Sequence, residues 1–331
     1  MSKQLAVGVV GLGRIGTHHV QTLLGLEDVS VSVTDADPER ARRVADELGV
    51  RAVATPEELL EAGAGALVIA TSTPSHAPLL QLAAASAVAA FCEKPVALDL
   101  ETLDAVIAEV TAAGILVQVG FQRRFDEGYR ALRDAVANGG VGRILAMRAA
   151  THDPFPPPKH YLAASGGIFR DLHIHDFDAI RFVSGDEVVE VYADGSALET
   201  PWLEQYGDVD VAAAVLRLSG GGLVTLSGTR HDPLGYDVRL EVFGTKDSLA
   251  AGLDDRTPLR SRPGPAYRDF WDRFEPAYRS ELEAFVASVR QDDESACSLE
   301  EARAALVIAL AADRSLVEHR PMALAKTPPN G

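Results

Sequence analysis

The stretch Gly11-Leu12-Gly13-Arg14-Ile15-Gly16 constrains this chain more than any other. It follows an apolar run, Leu5–Val10, and opens a segment, Ile15–Leu24, whose apolar residues recur at helical spacing. A second β-rich run, Val29–Thr34, leads to Asp35, 19 residues beyond Gly16. In that order the three glycines have separate tasks: a tight turn, close approach of a pyrophosphate to the backbone, and packing of the helix on the strand. The helix start offers free N–H groups and the positive end of a dipole to the phosphates. A carboxylate at Asp35 accepts hydrogen bonds from ribose hydroxyls and repels a 2′-phosphate, which favours NAD over NADP. Arg40, Arg42 and Arg43 follow and keep NADP open, although on a helix face they also read as solvated charges.

The same alternation continues to about residue 120. Pro38–Leu48 reads as an amphipathic helix closed by Gly49, and Thr55-Pro56-Glu57-Glu58 as a capped helix start. Short strands are expected at Val50–Ala54, Leu67–Ala70, Ala89–Cys92 and Ile115–Val119, with helices at Ala77–Ala85 and Asp99–Ala113. Strands alternating with helices predict a parallel sheet covered on both faces. Beyond Phe125 the texture changes. A helix (Asp126–Asn138), a strand (Arg143–Ala150), a proline-rich loop and a helix from about Gly167 to Val183 precede a meander between Glu187 and Leu253. Two helices, Glu275–Arg290 and Leu299–Glu318, close the pattern. At 331 residues two domains are expected, 1–122 and 123–331. The fold class is a Rossmann-type α/β dinucleotide-binding domain followed by an α+β domain with an open-faced, mostly antiparallel sheet.

Charge removes several function classes. The chain holds 31 basic and 48 acidic residues, a formal net charge of −17, and both halves are acidic when it is cut after Arg124. No basic footprint for nucleic acid or an anionic membrane is present. Cys92 and Cys297 are too few for a disulfide framework or a cysteine-rich zinc site. The uncharged stretch Ala62–Cys92 is long enough to span a bilayer, but Pro74, His76, Pro78 and Gln81 interrupt it. With no secretory signal, the expected location is the cytoplasm.

Two stretches carry chemistry. Phe91-Cys92-Glu93-Lys94-Pro95 puts a charged pair at the end of a buried strand, where open α/β sheets bind ligands. Lys94 either snorkels to water or stabilises an alkoxide that develops beside it. The second stretch is Gly166-Gly167-Ile168-Phe169-Arg170-Asp171-Leu172-His173-Ile174-His175-Asp176. On a helix Asp171 and His175 share a face. His175 can then take a hydroxyl proton while Asp171 orients it, or the two form a buried hydrogen bond without chemistry. His152, His160, His173 and His175 raise a metal reading, but no HExxH or cysteine spacing accompanies them, so no metal is expected.

Taken together, GLGRIG (11–16), EKP (93–95), GFQRRFD (120–126), GGIFRDLHIHDFD (166–178), GYDVRLEVFGT (235–245) and ALVIALAADRSLVEHRP (305–321) resemble the Gfo/Idh/MocA family of sugar and polyol dehydrogenases, most closely its inositol 2-dehydrogenase branch. The resemblance implies Lys94, Asp171 and His175 as the catalytic set. It implies Gly11, Gly13, Arg14, Ile15, Gly16, Asp35, Thr71, Glu93 and Lys94 as contacts of NAD. It adds Arg123, Asp153 and Tyr236 to Lys94, Asp171 and His175 as substrate contacts. Asp153, His160 and Tyr161, near the proline-rich loop, either gate or line the pocket or belong to a surface loop stiffened in polyproline conformation. The implied reaction oxidises a secondary hydroxyl of a cyclic polyol or sugar, foremost myo-inositol, in a homotetramer. Gln122 stands where that branch often carries methionine, which keeps other sugar dehydrogenases and keto-sugar reductases in view. A non-catalytic NAD-binding protein would not need Lys94, Asp171 and His175 together.

Overall fold

The structure is a computed structural model that describes residues 4–257, 266–291 and 293–324, apart from the side chains of His160 and Ala163. Two compact units emerge: residues 1–121 with 278–303, and residues 122–277 with 304–331.

The first unit is built on six parallel strands, β1 (Leu5–Val10), β2 (Val29–Thr34), β3 (Arg51–Ala52), β4 (Ala66–Ile69), β5 (Ala89–Glu93) and β6 (Val117–Gly120). Their order is β3-β2-β1-β4-β5-β6, so the strand order reverses between β1 and β4, where dinucleotides bind in such sheets. The connecting helices are α1 (Arg14–Leu24), α2 (Pro38–Leu48), α3 (Pro56–Glu61), α4 (His76–Ala85) and α5 (Leu100–Ala113). Local chemistry sets their ends. Asp37, Thr55 and Asp99 cap α2, α3 and α5 through their side chains, and Gly49 and Gly114 end α2 and α5 in the left-handed conformation. The core joins Val7, Val9, Val31, Val33, Val68 and Phe91 of the sheet to Val20 and Leu23 of α1. Leu282, Phe285 and Val286 complete it, which is why residues 278–303 count with this unit.

In the second unit, α6 (Glu127–Ala137) precedes β7 (Ile144–His152), followed by α7 (Lys159–Ser165), α8 (Ile168–Asp171) and α9 (Ile174–Ser184). Then come β8 (Val188–Ser196), β9 (Val211–Leu218), β10 (Leu223–Thr229), β11 (Asp237–Gly244) and β12 (Ser248–Ala251). Helices α10 (Phe270–Gln291) and α11 (Leu299–Glu318) lead to the short β13 (Met322–Ala323). The sheet order is β12-β11-β7-β10-β9-β8-β13. It is not the simple meander the turns predict, because β10 pairs with β7 in parallel and β11 crosses to the far side of β7. Along β9 and β10 buried and exposed residues alternate strictly, so one face of the sheet is open. Tyr192 and Val215 lie side by side on exposed positions of that face.

The stretch expected as one helix from Gly167 to Val183 is broken. α8 ends at Asp171 and α9 starts at Ile174, with Leu172 and His173 between. The break follows from what each residue must bury. His173 turns into the core, where its Nδ1 lies 2.8 Å from Asp176 Oδ2, while Asp171 is held by residues far along the chain. The expected (i, i+4) helical face shared by Asp171 and His175 is therefore not the geometry that relates them.

Candidate active site

In the first unit the glycine turn has the form its spacing predicts. Gly11 sits at φ +91°, and a Cβ there would come 2.7 Å from the Ala70 carbonyl oxygen. A Cβ on Gly16 would run into the carbonyl oxygen of Gly11, so close strand–helix packing requires this glycine. Gly13 differs: nothing in the chain lies within 4 Å of a Cβ there. The space over Gly13 is open, and Gly13 and Arg14 are exposed while Ile15 is half-buried. Gly13 N-caps α1 with no side-chain hydrogen bond and no acidic residue in the first turn. An uncapped helix start facing open space suits a pyrophosphate.

Asp35 follows β2 directly. Its Oδ2 accepts from the Leu12 amide at 2.6 Å, its Oδ1 accepts from the Asp37 amide at 2.8 Å, and Arg40 Nη1 lies 3.3 Å from Oδ1. The carboxylate is thus fixed to the glycine turn, the place a ribose contact requires. Arg40 is spent on Asp35 rather than held apart for a phosphate.

Thr71 follows β4, and its amide would lie 2.8 Å from a Cβ on Gly11, so it borders the glycine turn. One buried residue that sequence reasoning missed ties Thr71 to the lysine segment. His76 Nε2 lies 3.0 Å from the Thr71 carbonyl and its Nδ1 lies 2.8 Å from the Pro95 carbonyl. Burial holds the His76 imidazole below its usual range. In the sequence His76 reads only as an interruption of an apolar stretch; its bridging role needs the fold. Lys94 is half-buried at the end of β5, and its peptide bond to Pro95 is cis. The Glu93 side chain turns inward, with Oε1 2.7 Å from His19 Nε2, so any contact of Glu93 with a dinucleotide falls to its backbone.

The second unit gathers another polar group. Asp171 Oδ1 accepts from the Tyr161 hydroxyl at 2.8 Å, and Oδ2 from Arg230 Nη1 at 3.2 Å. Arg230 is fully buried and also pairs with Asp208, which in turn accepts from the Ile168 amide at 2.7 Å and so fixes the start of α8. The charge of Asp153 reaches both Arg230 and the Tyr236 hydroxyl; with burial it pushes the tyrosine well above its usual range. Asp153, Tyr161, Asp171, Arg230 and Tyr236 thus form one electrostatic neighbourhood; His175, at the start of α9, is half-buried. Arg230 and Asp208 were missed, because nothing around them in the sequence distinguishes a buried cation from a surface one.

Arg123 is buried. The residue is 1% exposed; Nη1 lies 2.5 Å from Asp176 Oδ1, and Nη2 donates to Thr151 Oγ1 at 3.0 Å. Asp176 also holds His173, so Arg123 belongs to a buried polar network, and its charge is felt at Tyr236 as well. Of the histidines that raised the metal reading, His173 belongs to this core and its charge is felt at His152, which lies 3.5 Å from Ser227 Oγ. The His160 side chain lies outside the described residues. Among the described residues, the group with ligand-like spacing is elsewhere, at His19, Glu93 and Glu281. No described helix is long and apolar enough to cross a membrane.

Residues 5–121 match the model of an oxidoreductase family with an NAD-binding Rossmann fold, and residues 129–250 match the GFO/IDH/MocA C-terminal domain. The chain belongs to the Gfo/Idh/MocA oxidoreductase family. The first unit is its NAD-binding domain, and the open sheet of the second lies in its C-terminal domain. Among members of this family, the chain is similar to a myo-inositol 2-dehydrogenase of Thermotoga maritima, 38% identical, with 97% of this chain and 98% of the relative covered. It is also similar to the crystal structure of a myo-inositol dehydrogenase from Corynebacterium glutamicum (33% identity, TM-score 0.90, 98% and 100% covered). A scyllo-inositol dehydrogenase from Lactobacillus casei, solved with bound NAD(H) and scyllo-inositol, aligns with a TM-score of 0.88 at 27% identity over 97% and 99% of the two chains. The uncapped α1 start, the open space over Gly13 and the anchored Asp35 fit the NAD of this NAD-binding fold.

Proposed function

We propose that this Gfo/Idh/MocA oxidoreductase oxidises a secondary hydroxyl of myo-inositol to the 2-keto compound, with NAD⁺ as acceptor. The observation that carries this reading is the 38% identity to a myo-inositol 2-dehydrogenase over almost the whole of both chains. The Asp171 cluster supports it chemically, since a carboxylate held by two donors and surrounded by Tyr161, Asp153 and Arg230 suits a ligand rich in hydroxyls.

When bound, NAD⁺ supplies the hydride acceptor. Each remaining role belongs to the chain. His175 takes the proton of the reacting hydroxyl as the carbon–hydrogen bond breaks. The Lys94 ammonium stabilises the oxygen while it carries negative charge, which a preplaced cation does without reorganisation. Asp171 orients the substrate or His175; with Tyr161 and Arg230 on separate oxygens it has little rotational freedom. Asp153 and Tyr236 contribute to polyol recognition. Gly11, Gly13, Arg14, Ile15, Gly16, Asp35, Thr71 and the Glu93–Lys94 backbone hold the dinucleotide.

The same reading includes a cytoplasmic homotetramer. Supporting the assembly is the open sheet face, where Tyr192, Val215 and Leu223 are exposed; light scattering on the purified protein tests it. The deciding experiment for the reaction is a panel of myo-inositol, scyllo-inositol and aldose sugars with NAD⁺ or NADP⁺, followed by absorbance of the reduced nicotinamide. Turnover of myo-inositol with NAD⁺ is expected to exceed all other pairs. A higher kcat/KM on an aldose would replace inositol as the substrate while leaving hydride transfer intact.

A further inference from the structure

The Rossmann unit holds a cluster that neither the dinucleotide nor the polyol site uses. His19 of α1, Glu93 at the end of β5 and Glu281 of α10 bring one nitrogen and two carboxyl oxygens within 4.8 Å of one another. His19 and Glu281 are fully buried, and the Glu93 side chain is 10% exposed. Phe91 packs edge-on to the His19 ring at 5.3 Å, Tyr278 does so at 6.2 Å, and Phe285 packs on Phe91. Among the described residues no N–H or O–H donor reaches either Glu281 oxygen. Gln118 donates to the Glu281 backbone carbonyl rather than to its side chain, and the backbone of Gly120 closes on Glu93, leaving no room for a Cβ.

Two carboxylates this close in apolar surroundings cannot both stay ionised without a counter-charge. Either a proton or a cation must sit among the three residues. The His19–Glu93 separation of 2.7 Å is hydrogen-bond length and already contains a hydrogen. Metal-binding histidines also donate their far nitrogen to an acceptor, whereas His19 Nδ1 has no partner among the described residues. These observations favour a proton. Glu281, the deeper group, is the one to hold it.

We infer that Glu281 is protonated at neutral pH and donates its hydrogen to Glu93, so that Glu281, Glu93 and His19 form a clamp that positions Lys94, the next residue in the chain. Burial and the Glu93 charge push the Glu281 carboxyl well up, in the same sense. The other titratable groups near the clamp, the Cys92 thiol and His76, also sense the Glu93 charge, and Tyr278 contributes its ring. The clamp joins the nucleotide helix, the lysine strand and α10 within one unit. Glu281 is a positioning residue. Its effect on turnover rests on the proposed role of Lys94; its protonation does not.

The test combines spectroscopy, metal analysis and kinetics on the full chain. The infrared difference spectrum of wild type minus Glu281→Gln at neutral pH is expected to show the carbonyl stretch of a buried carboxylic acid; its absence overturns the inference. A stoichiometric divalent metal in the purified wild type, lost in Glu281→Gln, overturns it in favour of a cation. Glu281→Gln, which mimics the protonated acid, is expected to rescue what Glu281→Met loses. Glu281→Met is expected to lower kcat by about 10-fold to 100-fold, the scale on which misplacement of a reacting group is felt, with little change in the KM for NAD⁺. Equal damage in both variants, or an undamaged Glu281→Met, overturns the clamp. If Glu281→Met does not fold, the infrared band and the Gln variant decide. A fully active Lys94→Met alongside a present band would sink the Lys94 assignment alone.

Discussion

Arg230 and Asp171 form a buried ion pair across 59 positions of the sequence, with Nη1 3.2 Å from Oδ2. Arg230 is also 3.5 Å from Asp208, so one guanidinium neutralises two carboxylates, and one of them carries a proposed catalytic role. Removing a partner from such a pair leaves uncompensated buried charge, at about 3–5 kcal/mol. Arg230→Met is therefore expected to shift the urea unfolding midpoint by a loss of that size. It should also lower kcat, because Asp171 loses the guanidinium donor on its Oδ2. A variant of wild-type stability would mean that the pair does not hold the cluster.

His175→Ala is expected to reduce kcat by about 10²–10⁴-fold, the usual contribution of a general base, while the NAD⁺ dissociation constant stays near wild type. Stopped-flow measurement of hydride transfer, with fluorescence titration of the coenzyme, separates the two quantities. Wild-type turnover would remove His175 from the chemistry.

The glycines of the turn divide by function. Gly13→Ala adds a methyl group to open space and is expected to cost at most about 1 kcal/mol of stability, through the weaker N-cap. The same methyl occupies the phosphate position, so NAD⁺ should bind at least about tenfold more weakly, about 1.4 kcal/mol. Gly16→Ala forces a Cβ into the Gly11 carbonyl and should cost about 1–3 kcal/mol in thermal or urea unfolding before any ligand is added. If both variants lost stability equally, the space over Gly13 would not be a binding position.

Asp35→Ser removes the acceptor at the end of β2 and releases Arg40 from its 3.3 Å contact. The expected outcome is a lower kcat/KM with NAD⁺ and a higher NADP⁺-to-NAD⁺ ratio, read from initial rates with each coenzyme. An unchanged ratio would place the ribose contact elsewhere.

Asp313 supplies a pH dependence of stability. Burial pushes its carboxyl up to about 7, although Arg170 lies 2.8 Å away. The unfolded chain releases this proton near 3.8, so between 3.8 and about 7 the folded state binds more protons than the unfolded one. Its stabilising contribution is complete below 3.8 and is lost as pH rises through 7. Asp313→Asn, which resembles the protonated side chain, should match wild type in acid and exceed its melting temperature above pH 7. Parallel melting curves across this range would refute the assignment.

Local patterns carried the Rossmann half in the sequence. Period and punctuation alone place β1, β2 and α2 at their observed limits, and Thr55 marks the start of α3 because capping involves residues two or three positions apart. The glycine turn and Asp35 were legible for the same reason. Lys94, Asp171 and His175 could be singled out as candidates from residue type and position. The partners of Asp171 could not.

Which charges are buried, and with whom, is settled by long-range contacts. Arg123 meets Asp176 across 53 positions and Arg124 meets Asp178 across 54, while His19 finds Glu93 across 74. An arginine written in a sequence looks the same whether it faces water or a core carboxylate; the desolvation that separates the two cases exists only once distant strands close over it. The break between α8 and α9 has the same origin. Helical period predicts continuity through Leu172 and His173, and the demand to bury His173 against Asp176 while Asp171 reaches Arg230 and Tyr161 overrides it. Near-neighbour interactions along the backbone were thus enough for the nucleotide fold, whereas the polar core and the dispositions of Asp171, Arg123 and Glu281 belong to contacts between segments far apart in the chain.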